Sequence, residues 1–245
     1  MKKLVVVALV VVLGAVAAPA QALTPPQTRP DGVTGLLSPS IDAFWARTLA
    51  AAGKSYTSPT GVHWYTGTTS SACGLLAPGN SFYCASGNDR RIYLDWGWHW
   101  SLIERFGDYG SGFVLAHEWG HHVQKLLGWY DWALERRYYA GLELQADCYA
   151  GIYSGHAYDI GLFTADDYEE ALAWLRTFGD EHHWQSPYAH GQPWLRQTSF
   201  EYGFEHMSVA GCDLSYQRLY GTDARPKPAA KKAKLAKKKP RAKRR

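Results

Sequence analysis

The chain has 245 residues, 46% of them hydrophobic and 20% charged, a composition that excludes disorder as its main state and fits one globular domain with appendages. Its formal charge of +4 is unevenly spread, because residues 225–245 hold 12 of the 26 Lys and Arg and no acid. Without these and without Lys2 and Lys3, residues 23–224 carry 12 basic against 22 acidic groups, a balance of −10 that excludes a nucleic-acid-binding surface on the folded body.

Lys2 and Lys3 precede an apolar run from Leu4 to about Ala18, followed by the small-x-small site Ala20-Gln21-Ala22. The pattern predicts a signal peptide over residues 1–22 and export, the run being short for a membrane span of about 20 residues. Residues 23–39, rich in Pro, Thr and Gly, read as an extended leader, and 40–222 as the folded domain. Ser40 is expected to cap a helix with Ile41, Phe44, Trp45 and Leu49 on one face. Three short aromatic and β-branched runs follow, His63 to Thr66, Ser81 to Cys84 and Arg91 to Leu94, and predict a small antiparallel sheet. Helical spacing then takes over, first through Phe113, Leu115, Val123 and Leu127 to a stop at Gly128. A second helix is expected from about Trp132 to Tyr153, and a third from Thr164, which has capping-box spacing with Asp167. Sheet first and helices after is an α+β arrangement.

Export licenses disulfides, and Cys73, Cys84, Cys148 and Cys212 allow three pairings. Cys73 with Cys84 closes a short Gly- and Pro-containing loop, worth about 3 kcal/mol on the loop-entropy picture, which leaves Cys148 for Cys212.

The string His117-Glu118-Trp119-Gly120-His121 is the H-E-x-x-H pattern inside a predicted helix. Residues four apart share a helix face, so the two imidazoles converge on one cation, and Glu118 beside them is placed to take a proton from water as general base. A third metal ligand does not come from the extended H-E-x-x-H-x-x-G-x-x-H pattern, because Gln124 and Leu127 stand at those positions. Glu143 and Asp147 are four apart in an otherwise apolar helix, where two carboxylates are costly to bury unless positive charge meets them. Glu143 is assigned as the third ligand and Asp147 as the acceptor orienting a ligand imidazole; the reverse assignment is the alternative. His122 points about 100° away from His121 and is expected outside the site. Gly120, unfavourable inside a helix by about 1 kcal/mol relative to Ala, implies a close neighbour there.

Ile92 to Asp95, His117 to Gln124, Glu143 to Gly151, Gly179-Asp180, Ala189-His190-Gly191 with Arg196, and Cys212-Asp213 together resemble, in order, the bacterial family called "putative neutral zinc metallopeptidases". The resemblance covers roughly residues 65–214 and implies a zincin-like fold, one catalytic Zn2+ on His117, His121 and Glu143, and Glu118 as catalytic acid and base. Trp119 and the stretch Gln192-Pro193-Trp194-Leu195 depart from the family's pattern and bear on the shape of the cleft. His190 is the candidate oxyanion donor, with Tyr202 and His206 as competitors; Arg196 is expected to order its loop through a salt bridge.

The expected activity is therefore that of a secreted zinc metallopeptidase cleaving peptide or protein substrates. The alternatives are a non-catalytic zinc protein that binds the envelope and a zinc amidase acting on wall amides. Residues 223–245, low-complexity Lys, Arg, Ala and Pro, read as a disordered basic tail able to hold an anionic envelope polymer.

Overall fold

The computed structural model describes residues 29–182 and 185–212. The expected signal peptide, the first residues of the leader and the basic tail lie outside the described residues. The order of elements is α1 (Pro30–Ala51), β1 (Gly61–Tyr65), β2 (Thr69–Ser71), β3 (Gly74–Leu76), β4 (Ser81–Cys84), β5 (Arg91–Asp95), α2 (Trp96–Phe106), α3 (Asp108–Leu127), α4 (Trp129–Glu135), α5 (Tyr139–Asp159), α6 (Ala165–Thr177), α7 (Pro193–His206) and a 3-10 turn Ala210–Cys212. The architecture is α+β, a small sheet followed by a helical half, as the sequence predicts.

The strand directions differ from expectation. β4 runs antiparallel to β5, but β1 lies on the other side of β5 and parallel to it, with Trp64 opposite Leu94. The excursion between β1 and β5 holds the antiparallel β2–β3 hairpin and β4, so the chain re-enters the sheet in its original direction. Residue composition identifies a strand and carries no signal of its partner's direction, which is why the sheet is mixed rather than antiparallel. The disulfide Cys73–Cys84 ties the turn of that hairpin to the end of β4.

The leader is also shorter than expected. α1 starts at Pro30, not Ser40, and continues through Pro39. Pro30 at the first helical position suits a helix start, since its missing N–H has no partner there in any case. Val33 and Leu37 extend the buried stripe of Ile41, Phe44, Trp45 and Leu49, and Leu37 packs on Gly112 of α3. That burial offsets the bond forfeited at Pro39.

α3 is the central element. Every residue from Asp108 to Gln124 is buried, because α1, α2, α5, α6 and β4 surround it. It ends as predicted at Gly128, whose φ of 81° is a left-handed helix stop. The predicted second helix is two: α4 and α5 are separated at Arg136 to Tyr138, where Arg137 has a φ of 54°. The predicted box at Thr164 and Asp167 caps α6. α7 packs along α5 so closely that a Cβ on Gly203 would lie 2.0 Å from the carbonyl oxygen of Cys148. Cys148–Cys212 pins the final turn to α5. Among the described residues no helix is long and apolar enough to cross a membrane.

Candidate metal centre

α3 and α5 cross where each carries its polar residues. A Cβ on Gly120 would meet the carbonyl oxygen of Ala146 at 3.0 Å and its Cα at 3.1 Å, so the close neighbour expected from the sequence is the backbone of α5. This approach sets Glu143 against the paired imidazoles. Its Oε2 lies 3.1 Å from His117 Nε2 and its Oε1 3.4 Å from His121 Nε2. The three side chains bring one donor atom each to within 4.8 Å of one another.

The far side of each ring decides what the near side can do. His117 Nδ1 lies 2.8 Å from Asp147 Oδ1, and His121 Nδ1 lies 2.8 Å from Gln124 Oε1. A carboxylate oxygen and an amide oxygen only accept, so each Nδ1 carries a proton, while each Nε2 faces the carboxylate of Glu143. A carboxylate buried against two imidazoles needs positive charge beside it, which protons on the rings supply here and which a bound cation would supply in their place. Burial alone pushes the pKa of His117 down, yet Asp147 and Glu143 outweigh it and hold the ring up to about 10. Burial likewise pushes Glu143 up, and the two histidines reverse that and hold its carboxyl well below the usual range. The donor set thus fits a divalent cation of the zinc type, with His117, His121 and Glu143 as the residues able to hold it.

Asp147 does not face this point. It is fully buried, and Arg196 grips it with two bonds, Nε to Oδ2 at 2.8 Å and Nη2 to Oδ1 at 2.9 Å. The reverse assignment of the two carboxylates therefore has no geometric support. Arg196 stands on α7, and its salt bridge goes to Asp147 of α5 instead of to the His190 loop that it was expected to order.

Glu118 lines the same cavity of about 410 Å³ as His117, His121 and Glu143. It is buried to 5% exposure and accepts a hydrogen bond from the backbone N–H of Tyr83 on β4, while its Oε2 has no partner. Burial raises its pKa, with His121 and His117 pulling the other way. The cavity wall is aromatic at Phe82, Tyr83, Trp98, Tyr130, Trp174 and Phe178, and β4, the edge strand of the sheet, contributes Ser81 to Tyr83.

His190 also lines the cavity; Asp180 Oδ2 lies 3.1 Å from its Nδ1 and accepts from its backbone N–H at 2.8 Å. Tyr202 and His206 stack on each other along α7 and do not line the cavity. His122 is held outside it by Tyr83 Oη and the carbonyl of Thr57, as expected. Neither departure from the family's pattern shapes this cavity. Trp119 points to α1 and its following loop, where its Nε1 donates to Tyr56 Oη, and residues 192–195 form the start of α7. The sequence reading missed Tyr130, which stands on α4 with its ring centroid 6.1 Å from that of His121. Burial first, then Glu143 and Glu118, push its hydroxyl up to about 12. The only signal was its position two residues after the helix stop at Gly128.

Fold and cavity define the class: an α+β protein whose two crossing helices present a His, His and Glu group able to hold a divalent cation beside a buried glutamate. The family follows. Residues 18–215 match the family described as "Putative neutral zinc metallopeptidase", and the chain belongs to it. It is 28% identical over 218 residues to the uncharacterized protein YpfJ of Escherichia coli (strain K12), an alignment covering 79% of this chain and 74% of that one. It is 31% identical over 205 residues to the uncharacterized protein Rv2575 of Mycobacterium tuberculosis (strain ATCC 25618 / H37Rv), covering 71% and 67%. The same figures hold for the uncharacterized protein Mb2605 of Mycobacterium bovis (strain ATCC BAA-935 / AF2122/97). No solved structure matches the chain.

Proposed function

We propose that the chain is a secreted zinc metallopeptidase that hydrolyses peptide bonds, with Glu118 as its general base. The observation that carries this reading is the unpartnered Oε2 of Glu118, buried and lining the same cavity as His117, His121 and Glu143. A purely structural metal site has no use for such a base and closes its fourth position with a protein ligand. His117, His121 and Glu143 would hold zinc, which when bound would supply the Lewis acidity that polarises a scissile carbonyl and lowers the pKa of water toward about 7.

The chain's own residues do the rest. Tyr83 N–H fixes one side of the Glu118 carboxylate and leaves Oε2 to take a proton from water and pass it to the departing amine. Asp147 holds the His117 ring by its Nδ1–H. Asp180 holds the ring of His190 at the cavity, where it is the candidate donor to the oxyanion. The edge of β4 along the cavity suits an extended polypeptide.

Export is supported by the N-terminal sequence pattern and by two disulfides. The basic tail serves retention at an anionic envelope. Glu118→Gln is expected to bind zinc as the parent does and to lose at least about 100-fold in cleavage of a peptide library, while Glu143→Ala loses the metal. Chelator-sensitive cleavage by the parent is the positive control. Undiminished cleavage by Glu118→Gln would remove this mechanism, and activity confined to cell-wall fragments would replace the peptide substrate by a wall amide.

A further inference from the structure

The two imidazoles of the metal centre are backed by different chemistry. His117 has a carboxylate behind it, whereas His121 has the neutral amide of Gln124. The orientation of that amide follows from its other side. Gln124 Nε2 lies 2.7 Å from the carbonyl oxygen of Leu142 and 3.1 Å from Gln145 Oε1. Only an NH2 group satisfies two acceptors at once, so the oxygen must face His121 and receive its Nδ1–H. Gln145 is fixed in the same way, because its own Nε2 donates to the carbonyl oxygen of Cys212 at 3.1 Å. Cys212 is bonded to Cys148, three residues beyond Gln145 on α5. Gln124 and Cys212 are fully buried and Gln145 nearly so, which keeps water from substituting for any member of the chain.

We infer that Gln124, locked through Gln145 and the carbonyl of disulfide-bonded Cys212, is a positioning residue that sets the tautomer and ring orientation of His121 and thereby the affinity of the site for a divalent cation. The inference rests on the zinc reading above. A side chain of similar size without the amide leaves the Nδ1–H of a buried ring unpaired. It also admits the tautomer protonated at Nε2, which offers no lone pair to a cation.

The test uses the full chain, with zinc affinity read by competition against a chromophoric chelator, folding by circular dichroism and ligand geometry by the visible spectrum of the Co2+-loaded protein. Gln124→Leu is expected to weaken zinc binding by about 10–100-fold and to shift the Co2+ bands. Gln124→Glu keeps an acceptor toward His121 but sets oxygen against the oxygens of Leu142 and Gln145, and is expected to weaken binding as well. Gln145→Met keeps the direct bond from His121 to Gln124 and removes its lock, so a smaller loss of several-fold is expected. Affinity of Gln124→Leu within about twofold of the parent, with unchanged Co2+ bands, overturns the inference. Should that variant fail to fold, parent-like binding by Gln145→Met and Gln124→Glu overturns it instead. A parent chain that binds no zinc overturns the proposed function itself, so the two failures are distinguishable.

Discussion

Asp147 takes His117 on one oxygen and Arg196 on both, in a place from which water is excluded. Burial pushes its pKa up, but Arg196 and His117 reverse this and hold the carboxyl below its ordinary range. Removing one partner of such a pair leaves an uncompensated buried charge, which costs more than the pair contributes. Arg196→Met is therefore expected to lower stability by about 3–5 kcal/mol in urea unfolding, and Asp147→Asn added to it to recover a large part. Additive losses in the double variant would count against the pairing. At this scale the sequence was legible wherever chemistry forced a residue type. Two histidines four apart on a helix must share a face, and two acids in an apolar helix must meet positive charge. Gln124 was noted only as a missing ligand, because a glutamine behind a histidine has no spacing of its own. Tyr130 was invisible for a similar reason, its place being set by how α4 leaves Gly128.

Between elements, the N-terminal ends of α3 and α6 bring Asp108, Asp167 and Glu170 together. Glu170 Oε2 accepts from Tyr109 N at 2.9 Å, yet burial, with the charges of Asp108, Asp167 and Asp166, raises its pKa from the ordinary 4.5 to about 8. An acid that holds its proton more tightly folded than unfolded stabilises the fold fully below its unfolded pKa, and this contribution is lost as pH rises through the folded one. Glu170→Gln keeps the acceptor and removes the charge. Its melting temperature is expected to match the parent's near pH 4.5 and to exceed it by a few °C above pH 8. A gap independent of pH would assign the effect to packing instead. The capping box beside this cluster was readable from Thr164 and Asp167, since it depends on two residues three apart. α7 was not, because its buried face mixes Arg196, Ser199, Glu201 and Gly203 with Leu195, Phe200 and Phe204, and its register comes from contact with α5. The early start of α1 was hidden by Pro39, which reads as a helix breaker until the packing of Leu37 on α3 is seen.

Over the whole molecule, the cavity lies between the edge of the sheet at β4 and the helical half, with the candidate donors on α3 and α5 at its floor. The disulfides staple other seams: Cys73–Cys84 spans 11 residues within the sheet region, and Cys148–Cys212 spans 64 across the helices. Neither joins α3 to α5, whose crossing rests on the close approach of Gly120 to Ala146 and on the pairing of Glu143 with His117 and His121. A cation bound by both helices would add a further link, and because the unfolded chain lacks the preformed site, its binding free energy adds to folding stability. At free zinc about 100-fold above the dissociation constant the gain is about 2.7 kcal/mol, or roughly 5–10 °C in melting temperature for a chain of this size. Glu118→Gln is expected to keep this shift, because Glu118 is not one of the donors, and Glu143→Ala to lose most of it. Calorimetric melts of the parent and both variants, with zinc and with chelator, measure the link without any substrate. Equal shifts in the parent and in Glu143→Ala would mean that the metal which stabilises the protein sits elsewhere.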